Sequence, residues 1–143
     1  MPLPKITDAI INASKILNPG WSLLTLVGPP RAQPAKPGKK GVNYFFEFEA
    51  QTGPGNTDEN KGRRGTLMIS GAALETGMAE VCDTYYGMMS GLTGLDGSQI
   101  KDKDIPDEAI VGKSIWADVD FRVNEGKKFL EFKQISPSTV IPF

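Results

Sequence analysis

The chain has no histidine and a single cysteine, Cys82, among its 143 residues. Without histidine there can be no Ser-His or Cys-His nucleophilic pair, no histidine general base and no histidine metal ligand. A structural zinc site normally takes four cysteine or histidine ligands, and one cysteine cannot form an internal disulfide. We therefore expect a protein that is not an enzyme and that needs neither a metal nor another cofactor.

Long apolar runs and a strong excess of one charge are missing as well. No run approaches the ~20 apolar residues of a membrane-spanning helix, and no basic-then-apolar N-terminus resembles a secretory signal. We expect a cytoplasmic protein with no membrane contact. The formal net charge is −1, yet residues 31–64 carry seven bases and only four acids. A local patch of this kind matters more for phosphate binding than the total charge.

Local patterns divide the chain into short elements. Residues 7–17 read as a helix with Thr7 as its N-cap, stopped by Asn18-Pro19-Gly20. The prolines and glycines of 28–41 predict a long exposed loop without regular structure, and 53–62 predicts a second loop. Strands are predicted over 21–27, 42–50, 64–70, 114–123 and 128–135, and an amphipathic helix over 72–92.

Two of the predicted strands alternate between apolar and polar residues. In 42–50 the even-numbered residues are apolar, and Phe45 stands among polar residues on the odd-numbered face. In 114–123 the odd-numbered residues are apolar, and Trp116 stands among charged residues on the other face. The residues Asn124-Glu125-Gly126-Lys127 predict a hairpin turn.

The order β-β-β-α-β-β predicts a mainly β fold with helices. Five short strands with a helix between the third and the fourth match a five-stranded OB-fold barrel. We expect one domain over 1–143, with a short N-terminal helical segment at 1–19 and a C-terminal tail at 136–143.

The segment Val111-Gly112-Lys113-Ser114-Ile115-Trp116-Ala117, together with the charged turn at 124–127 and Ile135-Ser136-Pro137, resembles the final hairpin of phage-type single-stranded-DNA-binding proteins. The early aromatic strand and the interposed helix are similar to that family too. The resemblance implies an OB fold that coats and protects single-stranded DNA during replication or recombination, without sequence preference, in the host cytoplasm if a phage encodes the chain.

The residues Ile141-Pro142-Phe143 resemble the end of bacterial single-strand binding proteins. In that family an acidic run precedes a terminal Ile-Pro-Phe that docks on partner proteins. The resemblance implies replication proteins as partners of the tail. Residues 136–140 contain no acid, which departs from the family's pattern.

Single-stranded binding needs aromatic faces that stack on bases, beside cations that follow the phosphates. Trp116 is the first aromatic candidate, although the N-terminal helix or a dimer partner could cover it instead. Phe45 and Phe129 share polar strand faces, and Tyr44 would replace Phe45 if strand twist shifted the faces.

The candidate cations lie in the loop after the first strand, in the last hairpin and around the third strand. In OB folds the loops after the first strand and between the last two strands flank the ligand groove. The clustering around Gly62-Arg63-Arg64-Gly65 is the firmest signal, although Glu47 and Asp118 would repel phosphate. The candidates are Arg31, Lys36, Lys39, Lys40, Lys61, Arg63, Arg64, Arg122, Lys127 and Lys128.

Two other hypotheses stay open. The chain could be a protein-interaction module or a phage structural component, whose aromatic residues form a subunit interface in an oligomer. Alternatively, Asp118 and Asp120 share one face of a strand and could hold Mg²⁺ in a nuclease. A polar outer strand face explains that pair more simply.

Overall fold

A computed structural model describes residues 2–14, 17–38, 41–53, 58–124 and 126–142. The helices are α1 (Asp8–Ser14), α2 (Gly71–Glu75), α3 (Ala79–Thr93) and α4 (Gly97–Ile100), with 3₁₀ helices at Asp58–Asn60 and Asp107–Ala109. The strands are β1 (Gly20–Leu26), β2 (Arg31–Pro34), β3 (Val42–Thr52), β4 (Arg64–Ser70), β5 (Ser114–Asn124) and β6 (Lys127–Pro137). None of these helices is long and apolar enough to cross a membrane.

All six strands belong to one antiparallel sheet in the order β2-β3-β1-β5-β6, with β4 paired to β3. Phe45 pairs with Arg31 and Met68, whereas Phe48 pairs with Leu26 and Gly65. Hence β1 and β2 lie end to end along one edge of β3, and β4 runs along the other edge. The result is a mixed α/β molecule dominated by its sheet.

The predicted closed barrel is not what the structure shows. Within the described part of the chain no ladder of hydrogen bonds joins β4 to β6, so the sheet is open at this seam. The guanidinium of Arg122 instead donates to the carbonyl oxygen of Met68 at 3.3 Å, occupying an edge acceptor of β4. The prediction of five strands is also wrong, because β2 is a sixth.

The extra strand lies inside the segment predicted to be an irregular loop. All four residues of β2 are exposed, so apolar periodicity gives no sign of this strand. It forms because the first half of β3 offers an edge to which Arg31–Pro34 can pair. The last strand likewise extends to Pro137, into the predicted tail.

The alternation of β3 and β5 correctly predicts the core over the middle of each strand, whereas Val42, Tyr44 and Val123 near the strand ends are exposed. Phe46, Phe48, Ile115, Ala117 and Val119 are all buried, and they pack in one cluster with residues of β1, β4, β6 and α3. The helix predicted over 7–17 is found as α1 (Asp8–Ser14); residues 15 and 16 lie outside the described ranges, and Leu17 is not helical.

The single helix predicted over 72–92 is instead two helices, because Gly77 takes a left-handed φ of 74° between α2 and α3. Another glycine helps α3 pack closely on the sheet. A Cβ at Gly91 would lie 2.6 Å from Cγ2 of Ile115, so a larger residue there would push the helix away from β5.

Candidate nucleic-acid interface

A groove of about 610 Å³ runs along the face of β2, β3 and β4 that is opposite the core, and the β5–β6 hairpin borders it. We call it the hairpin groove. Its lining residues are Arg31, Gln33, Pro34, Lys36, Asn43, Phe45, Thr66, Met68, Asn124, Lys127, Lys128 and Phe129.

Two half-buried aromatic rings meet in this groove. The ring centroids of Phe45 and Phe129 are 6.1 Å apart, with an angle of 42° between the ring planes. A bulge in the pairing of β5 with β6, between Ala117 and Val119, precedes the arm of the hairpin that carries Phe129. Bulges bend a strand and increase its twist, which helps to turn this arm toward β3. The prediction that both phenylalanines leave the core side is consistent with this placement.

Four cations flank the ring pair from two sides. Arg31 and Lys36 belong to the β2 side of the groove, and Lys127 and Lys128 belong to the tip of the hairpin. The guanidinium carbon of Arg31 lies 5.9 Å from the ring centroid of Phe45. Among the described residues that line the groove there is no acid. Cations close to aromatic faces make a surface suited to an anionic ligand with flat rings.

The groove continues into a smaller cavity, which shares Thr66 and Lys128 with it. Here the ammonium nitrogen of Lys128 lies 5.7 Å from the ring centroid of Phe121. Glu47 and Arg64 line the same cavity. Beyond Lys128 the electrostatic character therefore changes from basic to mixed.

Arg64 is paired with glutamates across the strands. Its Nη1 lies 3.4 Å from Oε1 of Glu47, and its Nη2 lies 3.1 Å from Oε2 of Glu49. Arg63 points elsewhere, since its Nη1 donates to Oδ1 of Asn18 at 3.1 Å. The arginine pair predicted as the firmest phosphate site is therefore separated in the structure. Arg64 belongs to an ion-pair network with two glutamates, and Arg63 is hydrogen-bonded to Asn18, just before β1.

Trp116 corrects the sequence prediction most clearly. The alternation places it opposite the core, which the pairing of Trp116 with Leu23 and Ser136 confirms. Its side chain is nevertheless only 4% exposed, so the expected solvent-facing stacking surface is absent. Alternation tells which face a residue occupies and not what covers that face.

The other candidates do not line the hairpin groove. Tyr44 lies on the core-side face of β3. Burial raises the pKa of the Tyr85 hydroxyl, and the charge of the nearby Tyr44 raises it further. Arg122 lines the seam between β4 and β6, and Lys61 is exposed in the turn after the 3₁₀ helix 58–60. Lys39 and Lys40 lie outside the described residues.

Three side-chain amides in the groove were not among the predicted contacts. Gln33 and Asn124 are exposed and Asn43 is half-buried. Asn43 could have been found, because the alternation of β3 places it on the same face as Phe45. Gln33 could not, because the strand that positions it has no periodic signature.

The alternative metal site at Asp118 and Asp120 gains no support from the side chains that the structure describes. Asp120 accepts the backbone N–H of Phe121 at 2.8 Å and pairs with Nζ of Lys133 at 3.3 Å. These two contacts, the N–H first, hold the pKa of the Asp120 carboxyl below its usual value. No group of three or more acids or cysteines suited to a metal ion occurs within the described ranges.

Comparison with known proteins finds no protein-family model that matches the chain. No curated protein matches it either.

Proposed function

We propose that this protein binds single-stranded DNA along the hairpin groove, coating and protecting it during replication or recombination. The observation that carries the proposal is the contact between Phe45 and Phe129 in a groove flanked by Arg31, Lys36, Lys127 and Lys128. Bases stacked on exposed rings, with phosphates beside cations, are the general mode of single-strand binding. We propose no catalysed reaction.

A single strand fits this geometry better than a duplex does. In a duplex the base faces are stacked on one another and cannot reach the rings of Phe45 and Phe129. In a single strand the faces are accessible, and stacking contributes about 1–3 kcal/mol per base. One pair of cations belongs to the β2 side of the groove and the other to the hairpin, which suits a backbone that passes along the groove between them.

We also propose that the fold is an OB-type barrel that is left open between β4 and β6. The strand neighbours β1–β3, β3–β4, β1–β5 and β5–β6 support it, as does the close packing of β4 on β6. A Cβ at Gly65 of β4 would lie 2.6 Å from Cδ2 of Leu130 of β6. In OB folds this sheet surface and the flanking loops bind oligonucleotides.

Salt dependence tests the proposal. Lys127→Gln with Lys128→Gln should weaken binding to oligo(dT) about tenfold at low salt, because two cations leave the groove. The slope of log K against log salt should become shallower by about 1.4, since each phosphate contact to a single strand contributes about 0.7. Fluorescence anisotropy at several salt concentrations measures both quantities.

The matched control is Lys101→Gln with Lys103→Gln, two lysines beside the cavity between α3 and α4. It removes the same charge and should leave the slope unchanged. Equal losses in the two double variants would show that net charge matters and that the hairpin groove does not.

The glutamates that pair with Arg64 should act against binding. Glu47→Gln with Glu49→Gln removes two negative charges, one of them in the cavity that adjoins the groove, and releases the Arg64 guanidinium, whose side chain is 52% exposed. We expect oligo(dT) to bind about threefold to tenfold more tightly at low salt. Exposed ion pairs stabilise a fold by only about 0–1 kcal/mol, so the melting temperature should change little.

The control is Asp102→Asn with Asp104→Asn, which removes two exposed acids outside the groove and leaves the ion pairs of Arg64 intact. Both double variants raise the net charge equally. A gain in affinity that is the same in both would contradict a local role of Arg64.

A further inference from the structure

The amides of the hairpin groove form part of the same surface as its rings. Gln33 of β2 pairs with Asn43 of β3, and Arg31 pairs with Phe45 two residues away. Successive residues on one face of a strand lie about 7 Å apart. A row of two amides therefore runs beside the row that contains Phe45, and Asn124 lines the groove from the hairpin side.

A base stacked on Phe45 would direct one of its edges toward this amide row. The half-width of a base and one hydrogen bond of about 3 Å together roughly match the spacing of about 7 Å between the two rows, so the base edge can meet the amides. The side chains of Gln33, Asn43 and Asn124 make no hydrogen bond to any other described residue, which leaves their donors and acceptors available to a ligand.

We propose that the hairpin groove reads base edges as well as base faces, and that it prefers adenine at the position stacked on Phe45. The inference rests on the proposed function. A carboxamide offers one acceptor and one donor side by side, and adenine offers the complementary pair in its 6-amino group and the adjacent ring nitrogen. The groove then binds every sequence through stacking and phosphate contacts, and selects among sequences through Gln33 and Asn43.

The stacking surface supports the choice of a purine. Because the ring planes of Phe45 and Phe129 are inclined by 42°, one flat base stacks on the Phe45 ring alone. The bicyclic face of adenine covers more apolar surface at this position than a pyrimidine does, and buried apolar area contributes in proportion. Guanine also has a bicyclic face, but its major-groove edge presents two adjacent acceptors, and a carboxamide, with its donor and acceptor side by side, can pair with only one of them.

The test compares two oligonucleotides that differ by one amino group. Short oligo(dT) strands carry at one central position either adenine or purine, the analogue that lacks the 6-amino group but keeps the bicyclic ring. The wild-type protein should bind the adenine strand about fivefold more tightly, the lower limit for a bidentate amide contact. Asn43→Leu with Gln33→Met should bind both strands equally, because the apolar replacements keep the size of the side chains and remove the hydrogen bonds.

Gln134→Met is the control, since Gln134 is an exposed amide of β6 outside the groove. This variant should keep the fivefold difference. Equal binding of both strands by the wild type, or an adenine preference that survives in Asn43→Leu with Gln33→Met, would overturn the inference while leaving single-strand binding intact. Failure of the wild type to bind either strand would overturn the proposed function together with the inference.

Discussion

Phe45→Ala combined with Phe129→Ala is expected to weaken oligo(dT) binding at least about thirtyfold, the largest loss we expect from any pair of side chains in the protein. The two rings meet in the hairpin groove, where we propose that bases stack on them. Stacking contributes about 1–3 kcal/mol per base, and two lost contacts at the lower limit correspond to about thirtyfold. Anisotropy titration with labelled oligo(dT) at fixed salt measures the loss.

Tyr86→Ala is the matched control. Tyr86 is 53% exposed on α3 and lines the cavity between α3 and α4, away from the groove. Its removal should leave the affinity unchanged. Because Phe45 and Phe129 are only half-buried, the double variant should remain folded, which its circular dichroism and melting curve will check.

The double variant Phe45→Ala with Phe129→Ala also tests the alternative hypothesis that the chain is a protein-interaction module. If the rings form a subunit interface, wild-type protein without DNA should elute as an oligomer from size exclusion, and the double variant should elute as a monomer. If they bind DNA, elution without DNA should be the same for both proteins. A wild type that binds no single strand and loses its oligomer on mutation would replace our proposal with that alternative.

Periodicity predicted the strands whose two faces differ. In β3 and β5 one face is buried in the core, so the period of two is visible and the boundaries are nearly right. It missed β2, because all four residues of that strand are exposed and its pairing depends on a neighbour distant in sequence. Short edge strands of this kind are specified by their partner more than by their own composition.

Basic residues that are clustered in the sequence do not form a cluster of free positive charge in the structure. Arg63 and Arg64 are adjacent in the chain, yet Arg64 faces Glu49 across β3 and β4 while Arg63 donates to Asn18. Neither partner can be identified without the register of the strands. Lys127 and Lys128 line the groove because they lie at the tip of the β5–β6 hairpin, at the turn that the sequence predicts over 124–127.

The alternation of apolar and polar residues also could not predict how deeply a side chain on the polar face is buried. Both Trp116 and Phe45 occupy the face opposite the core, and the sequence around each alternates in the same way. Trp116 is nevertheless only 4% exposed, although β3 and β5 both have neighbouring strands along their two edges. Phe45 remains half-exposed in a groove. Stacking residues must therefore be chosen by accessibility as well as by face.

The far end of β3 gives the largest expected effect on stability. Asn60 is fully buried, and its Oδ1 accepts the backbone N–H of Asn18 at 3.1 Å. Its Nδ2 donates to Oγ of Ser22 at 3.2 Å and to the carbonyl oxygen of Asn18 at 3.4 Å. One side chain thus ties the 3₁₀ helix 58–60 to the entrance of β1.

Asn60→Ala should lower the free energy of unfolding by about 3 kcal/mol, because it leaves the buried Ser22 hydroxyl and a backbone group of Asn18 without partners. Urea denaturation followed by tryptophan fluorescence measures the change. Glu59→Ala, an exposed neighbour in the same 3₁₀ helix, should cost less than about 0.5 kcal/mol. Similar small losses in both variants would show that the Asn60 network does not hold this end of the sheet.

The folded fraction of Asn60→Ala should still bind oligo(dT) with wild-type affinity. Asn60 contacts Gly53, just after the end of β3, whereas Asn43 and Phe45 lie at its beginning. The eight residue steps from Phe45 to Gly53 span about 27 Å at the rise of an antiparallel strand. Loss of stability at one end and loss of binding at the other are therefore separable. A fall in affinity in the folded Asn60→Ala protein would mean that the two ends of β3 are coupled, and that Phe45 and Phe129 do not act as a preformed stacking site.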